Sequence, residues 1–117
     1  MSKIMQNPVK RKLKNGQKTI GAFSQIISPE SAEIMSQSGF DWIIVDLEHA
    51  PGDFVNLQRQ LQAMNGSGVV PFARASWNDA VGIKRTLDTG VMGLLIPYVN
   101  TREEAVAAVA ACKYPPL

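Results

Sequence analysis

Cysteine and long apolar runs are both scarce in this sequence. The chain has one cysteine, Cys112, among 117 residues. A single thiol cannot form a disulfide within the chain, so nothing indicates secretion. No apolar run approaches the roughly 20 residues that a transmembrane helix needs, and the basic N-terminus lacks the apolar core of a signal peptide. We therefore expect a cytoplasmic protein with no membrane partner.

The motifs of several enzyme classes are also missing. There is no G-x-S-x-G pattern, which argues against a serine hydrolase. The glycines of Gly66-Ser67-Gly68 precede a predicted strand, whereas those of a dinucleotide-binding fingerprint follow one. His and Cys do not cluster at metal-ligand spacing, because the chain has one of each. Asp46 and Glu48 could hold a divalent ion through oxygen, although two carboxylates on one loop are a weak signal.

The charges are unevenly distributed along a chain whose formal net charge is +2. Residues 1–18 contain six of the 12 basic residues and none of the 10 acidic ones, so the remainder has a net charge of −4. A basic N-terminal stretch can contact nucleic acid or form a short solvated helix. No aromatic residue lies in it to stack on bases, so we expect the helix and no nucleic-acid partner.

The rest of the sequence alternates between short apolar segments and amphipathic ones. The apolar segments predict four strands, at residues 19–24, 41–46, 69–74 and 93–97. Capping residues, apolar stripes and glycine stops predict a helix after each strand, at residues 28–38, 53–64, 77–89 and 100–112. This order predicts an α/β fold whose parallel sheet has right-handed helical crossovers. It fits either an open doubly wound sheet or half of a (β/α)₈ barrel.

Polar side chains follow each predicted strand, where parallel sheets place functional groups. They are Ser24 or Gln25, then Asp46, Glu48 and His49, then Arg74, and finally Tyr98. His49 suits a general base, because an unperturbed imidazole titrates near pH 6.5; the alternative is a histidine on a surface loop. Arg74 suits a clamp for a carboxylate; the alternative is an ion pair with Asp46 or Glu48.

Six segments carry a pattern that spans nearly the whole chain, from about Asn7 to Pro116. They are Gly39-Phe40-Asp41-Trp42, Asp46-Leu47-Glu48-His49-Ala50-Pro51, Arg74-Ala75-Ser76-Trp77-Asn78-Asp79, Ile83-Lys84-Arg85-Thr86-Leu87-Asp88-Thr89-Gly90, Pro97-Tyr98-Val99-Asn100-Thr101 with Glu104-Ala105, and Lys113-Tyr114-Pro115-Pro116. In this order they resemble the HpcH/HpaI aldolase family of class II, metal-dependent 2-oxo-acid aldolases. The resemblance implies a (β/α)₈ TIM barrel with an N-terminal helix at residues 8–15. We therefore expect one domain over residues 1–117, the N-terminal half of such a barrel, with four βα units.

The resemblance also implies roles for individual side chains. The family's catalytic histidine matches His49. Its substrate-binding arginine, which contacts the pyruvate carboxylate or enolate oxygen, matches Arg74. The aspartate that pairs with the histidine matches Asp88, which by spacing alone would be a solvated or capping residue. Glu48 matches a carboxylate near the metal-bound water. An aspartate beside the histidine would fix its tautomer and raise its basicity.

The implied reaction is the reversible retro-aldol cleavage of a 4-hydroxy-2-oxo acid to pyruvate and an aldehyde. A divalent metal (Mg²⁺, Mn²⁺ or Co²⁺) would act as a Lewis acid and stabilise the enolate. The family's metal ligands, a Glu and an Asp, come from its fifth and sixth strands. They would lie beyond residue 117, so we expect no metal ligand within this chain.

Three interpretations of function stay open. In the first, the chain is a truncated aldolase that is incompetent without the half carrying the metal ligands. In the second, it is a catalytically inert half-barrel remnant that self-associates, because open strand edges are templates for pairing. In the third and weakest, it is an open flavodoxin-like domain that binds a small anion. For the aldolase, we expect a homo-oligomer formed through the open edges or the family's interfaces.

Overall fold

The computed structural model describes residues 6–116. The predicted basic stretch and the predicted domain of residues 1–117 therefore lie partly outside the described residues. The elements, in chain order, are α1 (Pro8–Lys14), β1 (Gly21–Ser24), α2 (Pro29–Ser36), β2 (Trp42–Asp46), α3 (Phe54–Met64), β3 (Val70–Arg74), α4 (Ala80–Asp88), β4 (Gly93–Leu95) and α5 (Arg102–Ala111). The predicted order of four βα units is confirmed, and the boundaries differ by a few residues at most. No helix within residues 6–116 is long and apolar enough to cross a bilayer.

The helices begin where the sequence supplies a capping side chain. Asn7, Ser28, Asp53, Asp79 and Thr101 each accept a hydrogen bond from a backbone N–H in the first turn of the helix that follows. Such a bond satisfies one of the free donors at a helix start and stabilises the helix by about 1 kcal/mol. Local sequence therefore determines where each helix begins.

The four strands form one parallel sheet in the order β1-β2-β3-β4. A doubly wound sheet needs a point where the strand order reverses, and this sheet has none. The open doubly wound alternative is therefore excluded for the described residues. In the register, Asp46 pairs with Arg74 and Arg74 pairs with Leu95, so the carboxyl ends of these strands meet at one edge.

One face of the sheet packs against the helices. Ile43, Val45 and Ala73 lie there in a buried cluster with Ala32 of α2 and Leu57 of α3. Each of these side chains is at most 2% exposed. Burying a large aliphatic side chain contributes about 1.5–3 kcal/mol, so this cluster is the main source of stability.

The side chains between these point to the other face of the sheet, which is only partly covered. Trp42 and Phe72 stack there with ring centroids 6.0 Å apart. A Cβ atom on Gly21 would lie 1.9 Å from the indole of Trp42, and one on Gly93 would lie 2.5 Å from the ring of Phe72. Glycine is therefore required at both positions for the rings to lie flat against the sheet.

Helix α1 lies at the amino ends of the strands. The side-chain amide of Asn7 donates to the carbonyl of Met92 at 2.9 Å, and Lys12 forms an ion pair with Asp41. Val9 of α1 is buried. Val9 and Leu13 line one side of a groove of about 800 Å³, and the sheet face that carries Trp42 and Phe72 lines the other. The opposite end of the sheet, at the carboxyl ends of the strands, carries His49, whose side chain is 62% exposed.

Candidate active site

Asp46 and Arg74 form a bidentate ion pair at the carboxyl ends of β2 and β3. Nε of Arg74 donates to Oδ1 of Asp46 at 3.0 Å, and Nη2 donates to Oδ2 at 2.6 Å. The side chain of Asp46 is fully buried, and that of Arg74 is 20% exposed. Because the two residues are register partners, the sheet itself holds them side by side. Paired fork-to-carboxylate bonds of this kind are among the stronger hydrogen bonds in proteins.

Asp46 accepts three further hydrogen bonds. The side chain of Gln25 donates to Oδ2 at 2.9 Å. The backbone N–H groups of Glu48 and His49 donate to Oδ1 at 2.9 and 3.1 Å, which is the local turn geometry that aspartate favours. Burial by itself would raise the pKa of the Asp46 carboxyl. The bonds from Arg74, Gln25 and the two amides outweigh burial and hold that pKa well below its usual range. The bond to Asp46 in turn raises the pKa of Arg74, so both groups stay charged.

Glu48 lies between the arginine and the histidine. Its Oε2 is 3.3 Å from Nε of Arg74, and its Oε1 is 3.2 Å from Nε2 of His49. The Glu48 side chain is 11% exposed, whereas that of His49 is 62% exposed. Within residues 6–116, the buried Oε2 atom has no hydrogen-bond partner. Glu48 can therefore form an ion pair with a protonated His49 and still offer one oxygen to a further group.

The predicted alternative for Arg74, an ion pair with Asp46 or Glu48, is observed with both residues. It does not exclude the predicted carboxylate clamp, because the Asp46 bonds use only Nε and Nη2. No hydrogen bond within the described residues involves Nη1. The guanidinium also lies over the ring of Phe23, 5.2 Å from its centroid. Nη1 of Arg74 is therefore available to donate to a small carboxylate.

The structure also decides between the two polar candidates after β1. Ser24 is on the helix side of the sheet and donates to Gln60 at 3.2 Å, whereas Gln25 contacts Asp46. Phe23, on the same face as Gln25, was not among the predicted site residues. Strand alternation was the signal, since residues two apart share a face. Tyr98 lies on the loop after β4, with a positive φ of 56°, and packs on Trp77 with ring centroids 4.8 Å apart.

Asp88 is not brought to His49 within this chain. It is the last residue of α4, and a short link then leads to Met92, whose N–H donates to the carbonyl of Pro71 near the start of β3. Asp88 therefore lies toward the amino ends of the strands, whereas His49 follows a carboxyl end. A crossover helix runs back along the sheet, which separates the two residues. Their pairing stays a prediction, and it would need Asp88 from a second chain.

The described residues do not by themselves fit a divalent metal ion. No group of three or more His, Cys, Asp and Glu side chains within residues 6–116 is placed to hold one. Both oxygens of Asp46 are already used by five donors, so Asp46 is a poor partner for Glu48 in a metal site. Glu48 Oε2 alone is one buried acceptor, and a stable oxygen site needs several ligands.

Comparison with known proteins gives one consistent result. The sequence model of the HpcH/HpaI aldolase/citrate lyase family matches residues 19–117. The chain is 48% identical over 110 residues to a pyruvate aldolase of Rhizobium etli, covering 94% of this chain and 43% of that protein. It is 45% identical over 113 residues to a 5-keto-4-deoxy-D-glucarate aldolase of Salmonella newport, covering 97% and 44%.

A solved structure agrees with these relatives. The fold matches that of an HpcH/HpaI aldolase/citrate lyase family protein from Burkholderia cenocepacia with a TM-score of 0.88 at 29% identity, covering 94% of this chain and 44% of that one. The chain thus spans less than half the length of the proteins it matches. Its four parallel βα units correspond to part of the family's TIM barrel, as predicted. The family model covers most of the chain, so the chain belongs to the HpcH/HpaI aldolase/citrate lyase family.

Proposed function

We propose that this chain carries one part of the active site of a class II aldolase that cleaves a 4-hydroxy-2-oxo acid to pyruvate and an aldehyde. The observation that carries the proposal is the charged Arg74, which buried Asp46 holds beside Glu48 and His49 at the carboxyl ends of the strands. The names of the relatives, a pyruvate aldolase and a 5-keto-4-deoxy-D-glucarate aldolase, support the substrate class. Since the chain spans less than half of each relative, the whole activity is proposed rather than assigned.

Arg74 would bind the 2-oxo acid and stabilise its enolate. As the C3–C4 bond breaks, its electron pair moves between C2 and C3, and negative charge develops on the C2 oxygen. A guanidinium that stays charged and has donors left over is suited to that oxygen, because hydrogen bonds to an ionised partner are about twice as strong as neutral ones. Donors already in place before the reaction contribute most to such stabilisation.

His49 would move the proton. It accepts the proton of the C4 hydroxyl as the aldehyde leaves, and the same proton, or one from water, is returned to C3 to form pyruvate. Imidazole suits both directions near neutral pH. Glu48, 3.2 Å from Nε2 of His49, would stabilise the imidazolium. We retain Asp88 as a proposed partner of His49, supplied by a neighbouring chain.

A divalent metal is expected from the family, with Mg²⁺, Mn²⁺ and Co²⁺ as the candidates. The described residues do not complete a ligand set, so the ligands would have to come from outside residues 6–116. We assign no step of the reaction to the metal. The incomplete set also favours the second candidate function, a catalytically inert half-barrel that self-associates.

We further propose a cytoplasmic location and a homo-oligomeric assembly. The assembly is supported by the two outer strands, β1 and β4, which lie at the open edges of the sheet. Unpaired strand edges offer free N–H and C=O groups to another chain. Light scattering of the purified chain tests this point, and a clean monomer at all concentrations would contradict it.

Pyruvate release separates the two candidate functions. The purified chain is incubated with a 4-hydroxy-2-oxo acid and Mg²⁺ or Mn²⁺, and pyruvate is followed through NADH-coupled reduction. Because the described residues complete no set of metal ligands, we expect the chain alone to be inactive and pyruvate to be released once the C-terminal part of the Rhizobium etli relative is added. This turnover should disappear in His49→Ala and Arg74→Ala and persist in Arg59→Ala, which removes an exposed arginine of α3. Continued absence of pyruvate would overturn the aldolase proposal in favour of the inert remnant.

A further inference from the structure

We propose that Asp46 is the positioning residue of this site, a buried carboxylate that orients Arg74 and the His49 loop together and binds neither metal nor substrate. The catalytic part of this inference rests on the proposed function. The part that concerns the orientation of Arg74 and the His49 loop depends only on contacts within the chain. Nothing in the sequence singled out Asp46 for this role, since a lone strand-end aspartate next to Glu48 indicates a metal ligand equally well.

The first contact set fixes the guanidinium. Asp46 accepts from Nε and Nη2 of Arg74, which defines the plane of the group and leaves Nη1 outside the pair. Phe23 covers one face of the guanidinium, 5.2 Å from ring centroid to Cζ. An arginine held on two sides loses little further freedom when it binds a ligand. The orientation of Nη1 is therefore set by Asp46 before any substrate arrives.

The second contact set shapes the loop. Oδ1 of Asp46 also accepts the backbone N–H groups of Glu48 and His49. The His49 side chain is 62% exposed, so little packing holds it. The bonds to the backbone restrain the loop that carries the imidazole, and the imidazole itself contacts Glu48, whose Oε1 is 3.2 Å from Nε2. One carboxylate thus couples the proposed base to the proposed oxyanion donor.

The third point is that Asp46 has no capacity left. Oδ1 accepts three donors and Oδ2 accepts two, from Arg74 and from Gln25 on the strand β1 side. Its side chain is fully buried. A carboxylate offers about four lone-pair sites in all, so five donors saturate it. Neither a metal ion nor a substrate can reach it without breaking these bonds.

Replacing the carboxylate by an amide tests the proposal, because it changes charge and donor pattern but almost no volume. In Asp46→Asn, an NH₂ group must face at least one of the present donors, whichever way the amide turns. With the amide oxygen at the Oδ1 position, the Nε–H of Arg74 meets a neutral acceptor instead of a carboxylate, and with the NH₂ group there it meets a donor. In either case we expect this Nε–H proton, seen by ¹⁵N NMR, to lose protection from solvent exchange. We also expect pyruvate, used as the probe ligand, to bind at least about tenfold more weakly, equivalent to one lost interaction of about 1.4 kcal/mol.

Asp41→Asn is the matched control. Asp41 likewise accepts a side-chain and a backbone donor, from Lys12 and Ile20, but it is only partly buried and lies at the amino ends of the strands. It should leave both the Arg74 signal and pyruvate binding unchanged. If Asp46→Asn does not fold, two arginines of the parent chain are compared instead. The Nε–H of Arg74, which donates to Asp46, should exchange at least about tenfold more slowly than that of Arg59, an exposed arginine of α3.

The outcomes separate this inference from the proposed function. One outcome is that the parent chain binds no pyruvate, while Asp46→Asn loses the protection of the Nε–H. This outcome would support the positioning role and count against the aldolase. Pyruvate binding within twofold of the parent and a protected Nε–H in Asp46→Asn would overturn the positioning role while leaving the aldolase intact. Should Asp46→Asn fail to fold, equal exchange rates of the Arg74 and Arg59 Nε–H protons in the parent chain would equally overturn it.

Discussion

Replacing Arg74 by alanine removes the charged partner of a buried carboxylate. The variant leaves Asp46 with Gln25 and two backbone amides as donors. Two charge-assisted bonds, at 3.0 and 2.6 Å, are lost, and breaking one side of a buried pair costs about 3–5 kcal/mol. Arg74 is 20% exposed, so water can enter the space and partly replace it. We therefore expect the free energy of unfolding at pH 7 to fall by about 3 kcal/mol, the low end of that range.

The same variant should change how stability depends on pH. In the parent chain, the pKa of the Asp46 carboxyl is lowered on folding, so the unfolded state binds more protons near pH 4. The stabilisation is complete above the unfolded pKa of about 3.9 and is lost as the pH falls toward the lower folded pKa. Without Arg74, the largest of the contacts that lower this pKa is lost. The carboxyl of the variant should therefore take up a proton at a higher pH than in the parent, and protonation relieves the buried charge. The difference in the free energy of unfolding between parent and variant should therefore become smaller from pH 7 to pH 3.5.

Urea unfolding followed by tryptophan fluorescence measures both quantities, since Trp42 lies in β2 and Trp77 packs on Tyr98 after β3. Equal slopes against urea concentration would show that the two chains unfold comparably. Arg59→Ala, which removes an exposed arginine from α3, is the matched control and should change stability by about 0.5 kcal/mol at most. A loss below about 1 kcal/mol in Arg74→Ala at pH 7, or a difference that widens as the pH falls, would refute this reasoning.

Three further predictions concern the site, the sheet and a helix. His49→Ala should reduce pyruvate release by about 10²-fold or more, with folding unchanged by circular dichroism; a reduction below threefold would contradict its role as the base. Gly21→Ala should destabilise the chain by at least about 2 kcal/mol in urea, because its Cβ would meet the Trp42 indole; a neutral result would mean that the ring can move aside. Asp53→Ala should lower stability by about 1 kcal/mol through loss of the α3 cap, and Asp53→Ser should restore most of it; equal stability of all three chains would argue against the cap.

The candidate site was only partly predictable from the chain. Glu48, His49 and Arg74 were identified because they directly follow predicted strands, and strand ends converge in a parallel sheet. Asp46 was predicted either as half of a weak metal pair or as an ion-pair partner of Arg74. Local sequence could not choose between the two, since Arg74 is 28 positions away in sequence. Asp88 was matched to His49 through the resemblance, yet α4 carries it to the other end of the sheet.

The sequence by itself determined the order of the elements, the start of each helix and the family. These depend on contacts between residues a few positions apart and on patterns within contiguous segments of the sequence. Only the tertiary structure decided that Asp46 faces Arg74, that Gln25 rather than Ser24 turns toward them, and that Asp46 has no lone pair to spare. Strand register brings those groups together, and register depends on the whole sheet and its buried face. The same sheet separates Asp88 from His49, a separation that no local pattern could reveal.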